Sequence, residues 1–282
     1  MNEELEIKTP IHYNTLVLSG GSIKGCCTLG ALQYFYDNEM LSNITTYVGV
    51  SIGAIICYLL AIGYTPIELI VYTATKMDLQ FTFNIMAMTQ GAGATSFYKI
   101  QEHIEKLTMN KLGTFLTLKD LKNRFGKTLI CSTYNDTNNT TEYLSPDTYP
   151  DLPCITALRM TSNLPLIFDR FEYMGNFYLD GGIADNFPID IVDIVGNKIL
   201  GIYMNSQHEK QNEWKILEYI YTLMFVPINQ NIQYKVKNAS NRCTIISLNA
   251  PNVKFFDLNQ TAMSKLDMFS SGYKDTRNFI EK

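Results

Sequence analysis

The sequence predicts an α/β fold built on a parallel sheet, and two strand–turn–helix units carry that prediction. The first runs from Tyr13 to about Asn38 and turns at Ser19–Gly25; the second runs from Ile44 to Gly63 and turns at Gly49-Val50-Ser51-Ile52-Gly53. Two strands joined by one amphipathic helix make a βαβ unit, and its right-handed crossover lays the strands side by side. Both glycine-bearing turns then leave the C-terminal edge of the sheet, where open α/β folds bind their ligands.

The bulk properties agree with a globular chain. Its 282 residues suffice for a substantial core, and 46% hydrophobic against 18% charged residues leaves no sign of disorder. A net charge of -4 without a basic stripe argues against nucleic acid as partner. The N-terminal MNEELEIKTP is polar and acidic, so residues 1–12 read as a leader without a secretory signal. The longest apolar run, Ile52 to Ile62, is too short to span a bilayer, so no transmembrane anchor is expected. Six cysteines without metal-ligand spacing read as reduced core residues, and no metal or other cofactor is expected. A cytoplasmic protein, peripheral on membranes at most, fits these features. No repeat or linker divides residues 13–282, which read as a single domain.

Taken in order, Tyr13 to Leu18 is a buried strand, and the helix from Cys26 to Asn38 presents Leu29, Leu32, Tyr36 and Met40 on one face. After the second unit, Thr65-Pro66 opens a helix to about Met77, with proline at its first turn. Leu79 to Ser96 mixes methionines, aromatics and glycines, and reads either as a buried amphipathic segment or as an interfacial flap. Helices are expected over Phe97–Met109 and Leu118–Asn123, and strands over Lys127–Tyr134 and Thr140–Ser145. Cys154 to Ser162 reads as a helix broken at Leu164-Pro165, and Arg170 to Leu179 as a hairpin around Gly175-Asn176. In the C-terminal part, Lys198–Asn205 and Cys243–Asn249 are strands, Trp214–Phe225 is an apolar helix, and Leu258–Tyr273 is a closing helix ending near Gly272. The helix around Glu213–Val226 has more apolar surface than one core face needs, which suits a pocket wall, a membrane contact or packing in a larger domain.

Three positions point to chemistry. Ser51 stands between a strand and a helix with glycines two residues to either side, the form of a nucleophile elbow; the turn pushes its hydroxyl out of the fold at a helix N-terminus. The turn at Ser19–Gly25 lacks the Gly-Lys-Ser/Thr order of a P-loop and the third glycine of a dinucleotide fingerprint. It remains either a plain β-to-α connection or a source of N–H donors for a tetrahedral oxyanion, from Gly20, Gly21 and Ser22. Asp180 ends a strand and is followed by Gly181 and Gly182, which suits either a turn-closing aspartate or a general base for Ser51. An ordinary aspartate is too weak a base near neutral pH, so the second role requires burial.

The ordered set Ser19-Gly20-Gly21-Ser22-Ile23-Lys24-Gly25, Gly49-Val50-Ser51-Ile52-Gly53 and Asp180-Gly181-Gly182, with Asn186 and Pro188 behind it, resembles the patatin-like phospholipase family. The block Ala157–Pro165 is similar to the family's segment ahead of its aspartate, and the likeness spans about Leu16 to Asn205. The resemblance implies a three-layer α/β/α fold with a mostly parallel sheet and a serine acyl-ester hydrolase using a Ser-Asp dyad. Its implied substrates are phospholipids or neutral glycerolipids of membranes or lipid droplets. Position by position it implies Ser51 as nucleophile, Asp180 as base, and Gly20, Gly21 and the Ser22 amide as oxyanion hole. Lys24 then fixes the loop or meets a phosphate, while Gly25, Gly49, Gly53, Gly181 and Gly182 support the turns. Ser22 departs from the family, which usually has a third glycine there. Alternative readings are a lipid-binding scaffold of the same fold, an acyltransferase, and an α/β-hydrolase triad of Ser51, Asp180 and His208. Against the triad, only two strands precede Ser51, and His208 lies in the polar run NSQHEKQNE.

Overall fold

The structure is a computed structural model that describes residues 12–77, 81, 84, 93–205, 216–250, 253 and 258–282. Its elements in chain order are β1 (Thr15–Leu18), a single 3-10 turn (Ser22–Lys24), α1 (Gly25–Asp37), β2 (Thr46–Gly49), α2 (Ile52–Ala61) and α3 (Pro66–Thr75). Next come α4 (Tyr98–Leu112), α5 (Leu118–Phe125), β3 (Thr128–Asn135), β4 (Thr140–Leu144), α6 (Cys154–Thr161), β5 (Phe171–Tyr173) and β6 (Asn176–Asp180). A second 3-10 turn (Gly181–Ile183) leads to β7 (Ile199–Met204), α7 (Ile216–Asn238), β8 (Cys243–Leu248) and α8 (Ala262–Ile280).

One sheet runs in the order β5-β6-β3-β2-β1-β7-β8, with β4 also on β3. The pairs β1–β2, β1–β7, β2–β3 and β7–β8 are parallel, and the antiparallel pairs are confined to the β3–β6 side. Strand alternation divides the core. Leu16, Leu18 and Tyr47 face a large cluster with α1, α2 and α4, whereas Val17 and Val48 face a smaller one with Phe187, Ile189, Ile228 and Ile232. Helices thus cover both faces, as the mostly parallel three-layer expectation requires. β8 pairs with β7, so the C-terminal part shares this sheet.

Local chemistry sets most boundaries. α3 opens on a capping box, in which the Thr65 side chain accepts from Glu68 N–H, and Pro66 stands in the first turn. α5 opens on a second box, Thr117 with Asp120, and ends on left-handed Gly126. The β5–β6 hairpin turns at Met174-Gly175, with φ of 48° and 78°, one residue earlier than expected.

Four expectations are corrected or fall partly outside the description. Tyr36 is 46% exposed and Met40 lies beyond α1, because α1 is sandwiched between the sheet and α8 and buries a broad band rather than one stripe. The apolar helix does not stop at Phe225 but continues through Pro227 to Asn238, because Ile228, Ile232 and Lys235 repeat at helical spacing and are buried. The closing helix begins at Ala262 and runs past Gly272 to Ile280. Gly272 is a close-contact residue: a Cβ there would stand 2.0 Å from the Cys27 carbonyl oxygen. Most of Leu79–Ser96 lies outside the described residues. Phe81 within it is buried, with its ring 6.3 Å from that of Phe168 and its N–H on Asn259.

Candidate active site

Ser51 caps the N-terminus of α2 with φ 53° and ψ −126°, a conformation that a non-glycine residue adopts only under constraint. The constraint is visible on both sides. A Cβ on Gly49 would stand 2.4 Å from Ala54 Cα, and one on Gly53 would stand 2.5 Å from the Ser19 carbonyl oxygen. Glycine at both positions therefore lets α2 fold back against β1 and β2. The Ser51 amide donates to Thr161 Oγ1 at 3.0 Å, and Thr161 in turn donates to the Ser132 carbonyl of β3.

The turn after β1 lies against this elbow, as the parallel β1–β2 pairing requires. A Cβ on Gly20 would be 3.3 Å from Ser51 Cβ, and one on Gly25 would be 2.6 Å from Ile52 Cγ1. The Gly20 N–H is already engaged, donating to Asn186 Oδ1 at 3.0 Å. That corrects its expected place among the oxyanion donors, because a donor bound to a fixed side-chain oxygen supports the loop instead. Ser22 has φ 55°, so a side chain occupies a left-handed position that favours glycine.

Asp180 ends β6 opposite Thr133 of β3 and is 5% exposed. Its backbone N–H donates to the Asn163 carbonyl at 2.9 Å, and its Oδ1 accepts from Gly182 N–H at 2.7 Å. Burial raises its carboxyl from 3.8 to about 6, although the hydroxyl of Ser51 and the amide of Gly182 favour the ionised form. Serine and aspartate, 129 positions apart in the chain, are thus brought to one site.

Both residues line one apolar cavity, together with Gly20, Gly21, Ser22 and Lys24. Ile52, Ile55, Ile56 and Leu59 of α2 form one wall, and Tyr221, Met224 and Phe225 of α7 form another. Of the three roles expected for that helix, a pocket wall, a membrane contact or packing in a larger domain, its inner face takes the first by lining the cavity, while Tyr219, Leu223 and Val226 are exposed. Among the described residues no cluster of His, Cys, Asp and Glu suits a metal ion, and no helix is long and apolar enough to cross a membrane. His208 lies outside the described residues. His103 sits on α4 at the cavity wall, where its Nδ1 pairs with Tyr72 at 2.9 Å.

Residues 16–193 match the sequence profile of the patatin-like phospholipases. The chain belongs to that family. Over 285 aligned residues it is 34% identical to the probable lipid hydrolase 463L of Invertebrate iridescent virus 6, spanning 97% of this chain and 90% of that protein. It is 25% identical over 292 residues to YqhO of Bacillus subtilis, spanning 94% and 97%. Among solved structures it is similar to VipD of Legionella pneumophila, with TM-score 0.57 and 16% identity over 96% of this chain and 67% of that one. The type III effector ExoU gives TM-score 0.52 and 12% identity over 97% of this chain and 53% of that one. At such identities the two structures share the patatin-like fold with this chain, a three-layer arrangement around a mostly parallel sheet.

The positive φ of Ser22 gives a physical account of the glycine that patatin-like chains usually carry there. Ser22→Gly is expected to stabilise the protein by up to about 1 kcal/mol, the strain of a left-handed L-residue less the entropy of glycine. Thermal melting checks this: a rise of about 2–4 °C is expected, and a fall would contradict it.

The block Ala157–Pro165, similar to the family's, has a function that no sequence pattern announces. Thr161 holds the Ser51 amide, Asn163 holds the Asp180 amide, and Arg159 Nη1 donates to Asn163 Oδ1 at 2.6 Å. Arg159 is itself buried between the rings of Phe97 and Phe171, at 4.7 and 5.0 Å from their centroids. This buried guanidinium reaches Asp180 through Asn163, yet in sequence it is one arginine on a helix.

Proposed function

We propose that this patatin-like protein hydrolyses acyl esters of lipids through a Ser51–Asp180 dyad and an acyl-enzyme. The observation that carries the proposal is the Ser51 hydroxyl against a buried carboxylate at the wall of an apolar cavity. Asp180 takes the hydroxyl proton as Ser51 Oγ attacks the ester carbonyl carbon. The carbonyl π pair moves to oxygen, and the resulting anion is met by the N–H groups of Gly21 and Ser22, which have no acceptor among the described residues. Collapse breaks the bond to the leaving alkoxide, which receives the proton from Asp180. Water then repeats the sequence: Asp180 accepts its proton, hydroxide adds to the acyl carbon, and the fatty acid leaves as Ser51 is reprotonated. The apolar walls of α2 and α7 accommodate the acyl chain, and the exposed Tyr219, Leu223 and Val226 suit a lipid surface.

Phospholipids or neutral glycerolipids are the substrate class this site suits. Mass spectrometry of a mixed lipid extract after incubation with the protein is expected to show free fatty acid and its deacylated partner, with none from a Ser51→Ala control. Fatty acid appearing only with an added alcohol acceptor, as its ester, would favour acyltransfer.

The raised carboxyl of Asp180 sets the acid limb. A base must be ionised, so kcat/KM is expected to rise through pH about 6 and to fall tenfold per unit below it. A titrating histidine would give a similar limb, and His208→Ala separates the two: the limb and the activity persist if aspartate is the base. Loss of activity in that variant would restore the Ser51/Asp180/His208 triad.

A further inference from the structure

The segment from Asp180 to Asn186 carries three parts of the proposed machinery: the base, the Gly182 amide bound to it, and the Asn186 oxygen bound to Gly20. Its backbone is held from outside at the start, by Asn163. Within the loop, the N–H groups of Ala184 and Asp185 turn back onto the Gly181 carbonyl, at 3.2 and 2.8 Å. Beside the Asn186 bond to Gly20, the Asp185 side chain anchors the segment, and its partners also belong to other elements.

Asp185 is 5% exposed and accepts three hydrogen bonds from two residues. Lys235 Nζ, on the far half of α7, stands 2.7 Å from each of its oxygens, and Tyr143 of β4 donates to Oδ2 at 2.7 Å. Lys235 is 9% exposed and also reaches Asp190, at 2.6 Å, beyond the same loop. Burial, with Asp185 beside it, pushes the Tyr143 hydroxyl up, so it stays a donor. A buried ion cluster of this kind contributes little net stability compared with apolar packing, and its use is to select one arrangement.

We propose that Lys235 is a positioning residue of the active site. With Asp185 and Tyr143 it fixes the Asp180–Asn186 loop in the register that brings Asp180 to Ser51 and Asn186 to Gly20. The inference rests on the dyad reading above but adds a residue that does not touch substrate. It also explains why α7 continues past Pro227: its first half lines the cavity, and its second half delivers the ammonium to the loop.

The test is Lys235→Met, which keeps the stem and removes the charge, compared with Lys235→Arg and Tyr143→Phe. A displaced base reduces turnover more than binding, so Lys235→Met is expected to lower kcat about 10- to 100-fold with KM within about threefold. Lys235→Arg is expected to recover most of it, and Tyr143→Phe to lose about three- to tenfold. Amide hydrogen exchange is expected to speed up at 180–186 in Lys235→Met and Tyr143→Phe, with the β1 and β2 amides unchanged. Wild-type kcat and exchange in a folded Lys235→Met would overturn the proposal, as would faster exchange spread over the whole chain. If Lys235→Met does not fold, Tyr143→Phe decides alone: wild-type kcat and exchange there also overturn it. Exchange is read without substrate, so a wild-type protein inactive on every ester would sink the dyad reading while this network was still being tested.

Discussion

Asp180→Asn is expected to abolish turnover and, at the same time, to make the folded protein more stable at pH 7. The two effects share one cause, burial of a carboxylate that must ionise to work. The folded state holds the carboxyl proton up to about pH 6, the unfolded state only to about 3.8, so folding stability falls as pH rises through that interval. At neutral pH the loss is complete and amounts to about 3 kcal/mol as an upper limit. Asparagine keeps an oxygen for the Gly182 N–H and carries no charge to bury. Melting at pH 7 is therefore expected to occur several degrees higher than in the wild type, with the gain shrinking towards pH 4. Hydrolysis is expected to drop by about 10²–10⁴-fold, the worth of a positioned base. A variant that is inactive and less stable at pH 7 would point instead to a structural aspartate.

Gly272→Ala is expected to be among the most damaging single methyl additions in the described residues. α1 and α8 cross so closely that a Cβ on Gly272 would stand 2.0 Å from the Cys27 carbonyl oxygen, and one on Gly30 would stand 1.9 Å from that of Phe269. Both obstacles are backbone, which no rotamer change removes, so the helices must separate. Their separation strips the edge-on contact of Tyr34 with Tyr273, whose centroids lie 5.7 Å apart, and loosens α1, on which Gly25 meets Ile52. The expected loss is about 3 kcal/mol or more, read as a lower denaturation midpoint. Ser270→Ala, two positions away and exposed, is the control expected to change little. Equal midpoints for the two variants would contradict this view of the crossing.

The difference between what the sequence discloses and what it hides follows from the range of the interactions involved. Gly49 and Gly53 are legible because the elbow is local: the atoms they would strike belong mainly to the next turn or to the neighbouring strand of the same βαβ unit. Asp180 is legible because a strand end followed by two glycines is a pattern within three residues. Gly272 misleads for the opposite reason. A glycine near a helix end is ordinarily a stop, and only the approach of α1 from elsewhere in the chain makes it a contact instead. The helix expected to end at Phe225 runs on through Pro227, since the burial of Ile228, Ile232 and Lys235 outweighs one missing backbone hydrogen bond.

The hidden part of the site consists of side chains that act through other residues. Gly20 looks like an oxyanion donor until Asn186, 166 positions away, is seen to occupy its N–H. The Thr161 hydroxyl and the Asn163 carbonyl hold the backbone amides of Ser51 and Asp180, which leaves no spacing to recognise. A lysine in the run Gln233-Tyr234-Lys235-Val236-Lys237 reads as a surface charge, whereas Lys235 is buried against Asp185.

The most direct test of the dyad is covalent labelling with a fluorophosphonate, followed by peptide mapping. The probe reacts with a serine hydroxyl only where a neighbouring base removes its proton and N–H donors hold the phosphoryl oxygen. The expected result is one adduct, on Ser51, that is absent in Ser51→Ala and slowed at least about a hundredfold in Asp180→Asn. Folded wild-type protein that stays unlabelled, or is labelled at the same rate in Asp180→Asn, would contradict the account.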